Sequence, residues 1–177
     1  TPTVSGEITT ASGITPLGAG FNAVAVATST TYGSYAFVAT NSSSAHLQVI
    51  DVSQTNPKIV ASYTVPNMGS ALPSAIFFKD GYIYLGFENS SGKELAVIDV
   101  HNPLTIPLPL ATYEVGAKVH SIVVKNGYAF IGTSDSAKEL LVLSLQNLAQ
   151  PVLKSVYDAP GNAPGDGKSL YAIGDTL

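Results

Sequence analysis

Apolar residues in this chain come in short, strand-length runs separated by polar turns, and the runs repeat. Tyr35–Thr40 (YAFVAT), Tyr82–Phe87 (YIYLGF) and Tyr128–Thr133 (YAFIGT) start 47 and 46 residues apart. Leu47–Val52, Leu95–Val100 and Leu140–Leu145 follow them, spaced 48 and 45. A first run precedes each tyrosine strand, at Ala23–Ala27, Ala75–Phe78 and Ile122–Val124. A fourth run closes each unit, at Ile59–Val65, Leu110–Val115 and Leu153–Ala159. Four short strands recurring on one period predict an all-β protein of consecutive four-stranded antiparallel blades, as in a β-propeller.

The turn chemistry agrees with that pattern. Asp80-Gly81 and Asn126-Gly127 join first to second strands, and each fits a type I′ hairpin, which needs positive φ at both central residues. The first unit differs, with Thr28–Ser34 predicted as a longer loop. Pro57, Pro103, Pro107, Pro109 and Pro151 fall between third and fourth strands, where proline costs no ladder bond. The third strands are almost continuously apolar, as expected of strands covered on both faces.

These spacings divide the chain into a leading strand and loop (1–19), blades at 20–66, 67–116 and 117–160, and the start of a further blade at 161–177. Val4–Ala11 reads as a fourth strand leading into the next blade. Leu170–Ile173 reads as a first strand, although Tyr171-Ala172 also matches the tyrosine strands. Three blades and two stray strands do not close a ring, so self-association through the terminal strands, or a larger propeller, is expected.

Composition narrows the function classes. The chain has 177 residues, 45% of them hydrophobic and only 11% charged, with a formal net charge of −4. All eight basic residues are lysines, spread singly along the chain, which argues against nucleic-acid binding. No apolar run approaches the roughly 18 residues that a membrane helix needs. With no cysteine there are no disulfides, thiolate nucleophiles or Cys-based metal sites. The weakly charged surface, rich in Ser and Thr, leans toward an exported bacterial or archaeal protein.

Leu47-Gln-Val-Ile-Asp-Val52, Leu95-Ala-Val-Ile-Asp-Val100 and Leu140-Leu-Val-Leu-Ser-Leu145 each follow a tyrosine strand and precede an Asn/Pro turn. This combination, over about residues 20–177, resembles LVIVD-type β-propeller repeats. The third unit departs from it at Ser144 and at Gln150-Pro151. The resemblance implies a propeller fold and an extracellular or cell-surface location more than a chemistry.

Candidate chemistry is sparse. Asp51 and Asp99 end matching strands, where an Asx turn explains them better than a metal or acid/base role. His46, His101 and His120 occupy three different blade positions without metal-ligand spacing. Asn22, Ser74 and His120 stand at the starts of first strands, where side chains rim a propeller's central opening. Asp158 and Asp166 flank what reads as an ordinary turn, and the hairpin loops Glu88–Glu94 and Ser134–Glu139 leave a weak surface calcium site open. Ser121 lacks a nucleophile elbow, and Gly18-Ala-Gly-Phe21 completes no dinucleotide fingerprint. Asn41 and Asn89 begin glycosylation sequons. The expectation is a non-enzymatic interaction or structural module without catalytic, metal or cofactor residues. A propeller lyase or hydrolase, and a carbohydrate-binding module, stand as alternatives.

Overall fold

The computed structural model describes residues 9–10, 20–29, 33–89, 91–160 and 166–172. The secondary structure of these described residues is entirely β. After β1 (Thr9–Thr10), the first blade comprises β2 (Phe21–Ser29), β3 (Gly33–Thr40), β4 (Leu47–Asp51) and β5 (Lys58–Tyr63). The second has β6 (Pro73–Lys79), β7 (Tyr82–Phe87), β8 (Leu95–Asp99) and β9 (Ala111–Tyr113). The third has β10 (Val119–Lys125), β11 (Tyr128–Thr133), β12 (Leu140–Ser144) and β13 (Val152–Tyr157). Each is an antiparallel meander in chain order, the arrangement that the period implies.

Local chemistry sets the strand ends. Asp80 and Gly81 have φ of 50° and 82°, and Asn126 and Gly127 have 51° and 75°, the left-handed pair that a type I′ turn demands. The first-blade loop is shorter than Thr28–Ser34, because the β2–β3 ladder extends to Ser29 opposite Gly33.

Two expectations about the terminal strands change. Thr9–Thr10 pairs in parallel with β5 of the first blade, Thr9 opposite Lys58 and Thr10 opposite Ile59. It therefore caps the outer edge of the first blade, beyond that blade's own fourth strand, where the sequence predicted the fourth strand of a preceding unit; the rest of Val4–Ala11 lies outside the described residues. Leu170–Ala172 has no ladder partner among the described residues and is not a strand, and Ile173 lies outside them.

The core lies between blades. One cluster joins the first and second blades through Phe37, Leu47 and Val49 on one side and Ile83, Leu85, Phe87 and Ile98 on the other. A second joins Tyr84, Leu95 and Val97 to Ile122, Ile131, Leu141 and Leu143. Each blade thus presents one face forward to its successor and the other backward to its predecessor. This is why β8, enclosed on both sides, is apolar from Leu95 through Ile98 and inaccessible along that stretch.

Gly86 marks the tightest approach. A Cβ built there would lie 2.8 Å from Val119 Cβ and closer still to Val119 Cγ1, so at this one position β7 has room for backbone alone.

Candidate functional site

Each first strand contains one irregularity at the same place. The ladder skips a residue between Phe21 and Ala23, between Pro73 and Ala75, and between Val119 and Ser121. The extra residues are Asn22, Ser74 and His120, the three expected at the central opening. A bulge takes its residue out of the ladder and re-aims the side chain. Here the side chains reach toward the next blade. Asn22 Nδ2 donates to Pro73 O at 2.7 Å, and Ser74 Oγ donates to Val119 O at 2.6 Å. The first two members of the set are therefore blade-to-blade stitches.

His120 occupies the same position and departs from the series. Its Nε2 is buried, has no hydrogen-bond partner and lies 3.7 Å from Asp166 Oδ2. Burial lowers its pKa, Lys168 and Lys118 lower it further, and Asp166 opposes them. Asp166 also accepts from Lys168, which holds its carboxyl below the usual range. Asp166 faces the inner strand of the third blade; most of the turn that the sequence places between Asp158 and Asp166 lies outside the described residues. His120, Asp166 and Lys168 form a small polar cluster.

Asp51 and Asp99 take the Asx geometry expected of them. Asp51 Oδ1 accepts from Ser53 N at 2.9 Å, and Asp99 Oδ1 accepts from His101 N at 2.9 Å. Hydrogen bonds from Ser53 lower the Asp51 pKa. The Asp99 pKa is also lowered, the bonds from His101 outweighing burial. His101 Nδ1 lies 2.8 Å from the same Asp99 oxygen, and its ring stands edge-on to Tyr82. That side chain also fills the space beside Gly81, so His101 clips its own hairpin turn.

A second repeated device lies immediately before the third strands. His46, Glu94 and Glu139 are all buried there. His46 Nδ1 accepts from Val65 N at 3.0 Å; Glu94 Oε2 accepts from Val115 N and Gly116 N, both at 3.0 Å; Glu139 Oε2 accepts from Ala159 N at 3.0 Å. Each ties the end of the fourth strand back to its own blade. Sequence reasoning assigned Glu94 and Glu139 to hairpin loops. The available signal was a polar residue preceding every third strand at the same phase. Buried in this way, neither carboxylate is placed to hold surface calcium. Among the described residues, no three His, Asp or Glu side chains are grouped to hold a metal ion.

His46 accepts from Val65 only when neutral, and burial lowers its pKa from 6.5. An unfolded chain takes up this proton first as pH falls, so the stability contribution is complete above pH 6.5 and declines below it. Lowering at His120 has the same sign. Asp51, Asp99 and Asp166 have lowered pKa values and lose their contribution only in a more acidic window, below 3.8. Urea midpoints measured from pH 8 to 5 are expected to be flat and then to fall below about 6.5. The fall should be shallower in His46→Gln; an unchanged profile in that variant would refute the assignment.

The LVIVD repeat model matches residues 27–65 and 116–159. The chain carries LVIVD repeats. The two matched LVIVD stretches run from β2 to just past β5 and from just before β10 to just past β13, covering the first and third blades. The second blade, between them, has the same strand order and its own Leu95–Val100 motif. The Leu95–Val100 motif strand is enclosed by the blade interfaces, so there the motif marks packing. No curated protein matches the chain.

Proposed function

We propose that the chain is a non-enzymatic interaction module, extracellular or at the cell surface, with its working surface on the outer loops and a protein as its partner. The observation that carries this reading is the proline-rich loop before β9. Leu104, Leu108 and Leu110 are 57%, 74% and 39% exposed there, beside a groove lined by Pro66, Asn67, Lys93 and Ala149. Exposed leucines on a loop stiffened by Pro103, Pro107 and Pro109, with Leu108 and Leu110 lining that groove, offer a preorganised apolar surface. Two of the three central positions already hold blades together, which leaves little there for catalysis. Self-association through terminal segments belongs to the same proposal, and Tyr171 at 81% exposure supports it.

The test compares the immobilised chain with a Leu104→Ser/Leu108→Ser variant for capture from an exported-protein fraction. A partner held by the parent and lost by the variant is expected. Equal capture by both, or capture by neither, overturns the assignment of this loop.

A further inference from the structure

We infer that Asp166–Ala172 is seated where the inner strand of a fourth blade belongs, and that the partner completing that blade is a further repeat of this same kind, adding its tyrosine strand by antiparallel β-augmentation. Four observations on the forward face of the third blade support this. First, Gly132 holds the place in β11 that Gly86 holds in β7. A Cβ at Gly86 would run into Val119, the first residue of the next blade; a Cβ at Gly132 would run into Gly167 O. Gly167 therefore sits on the third blade where Val119 sits on the second. Second, Gly167 N donates to Thr133 O at 2.8 Å, and its Cα side lies so close to Gly132 and Glu139 O that a side chain has no room.

Third, the segment shields the positions that an inner strand turns toward the preceding blade. Counting from Gly167 as from Val119, Leu170 and Ala172 correspond to Ile122 and Val124, which pack against the preceding blade. Leu170 and Ala172 are half-buried, while Tyr171 between them is exposed. Fourth, His120 faces this segment from the position whose counterparts, Asn22 and Ser74, stitch to the next blade.

The occupant follows from the two existing interfaces. In the first blade Phe37, Leu47 and Val49 are buried by the backward face of the second; in the second, Tyr84, Leu95 and Val97 are buried by the third. Their counterparts in the third blade, Phe130, Leu140 and Val142, are only half-buried. The same apolar set at the same positions calls for the same cover, a backward face such as Ile83, Leu85 and Ile98. This inference rests on the repeat architecture and not on the outer-loop reading, so either survives failure of the other.

The experiment extends the chain after Thr176 with a second copy of Tyr128–Tyr157 and measures amide exchange across 167–172. In the extended protein these amides are expected to exchange at least about tenfold more slowly than in the parent, approaching those of Val119–Lys125. Gly167→Val in the extended chain is expected to abolish the gain. A folded extended protein with unchanged exchange at 167–172 overturns the inference. If the extension misfolds, the parent decides: the Gly167 amide is expected to be protected there, and Gly132→Val to release it. A Gly167 amide at loop rates in the parent, or indifferent to Gly132→Val, equally overturns it.

Discussion

Replacing Glu94 with alanine is expected to destabilise the protein by about 3 kcal/mol, because it strands two backbone donors at roughly 1–3 kcal/mol each. Those donors are Val115 N and Gly116 N, both satisfied by the single oxygen Oε2. Relief from desolvating the carboxylate offsets part of the loss, and the cavity left by the side chain adds to it. Glu94→Gln keeps an amide oxygen able to accept both bonds, so it should lose less than half as much. The urea midpoint of the two variants against the parent is the measurement. Equal stability of Glu94→Ala and parent would mean that water reaches these amides, and the buried clamp would be an illusion of the static geometry.

Gly86→Ala is expected to cost about 2 kcal/mol, the range for forcing a methyl group into a filled core. The obstacle is specific: Val119 Cβ and Cγ1, with Ala75 Cβ at 3.2 Å behind them. Since Val119 belongs to the next blade, the strain falls on the interface rather than within one sheet. A double-mutant cycle separates the two cases. In a Val119→Ala background the glycine substitution should cost less by about 1 kcal/mol, whereas strain within β7 would give additive losses. Ala39 occupies the same place in the first blade and is fully buried, so the position accepts a methyl group where the facing residue permits it.

How much of this was legible depended on the range of the interaction. The four strands of each blade follow from the two-residue turns and the recurrence of Tyr35, Tyr82 and Tyr128, which act locally or add up over the repeat. The stitching role of Asn22 and Ser74 was not legible, because a bulge exists only relative to a partner's register. That they share one place in the repeat was inferable; the carbonyls they reach, 51 and 45 residues away, were not. Glu94 and Glu139 looked like loop residues because acidic side chains are rarely buried, a rule that fails when backbone amides converge on them. The parallel pairing of Thr9–Thr10 had no sequence signal at all, since threonine pairs equally well on many edges. The nearness of Asp166 to His120 was not legible, because the approach of Gly167 to Gly132 is a contact between backbones and leaves no side-chain pattern.

The stitches between blades have a genetic consequence. Asn22 and Ser74 reach a backbone carbonyl of the following blade, not a side chain, and even proline supplies it at position 73. A side-chain acceptor would oblige each unit to coevolve with one particular neighbour. With a main-chain acceptor, tandem duplication, loss or reordering of a unit leaves the bond available to whatever sequence comes next. Gene segments of this kind are free to vary in copy number first and to diverge in their outer loops afterwards.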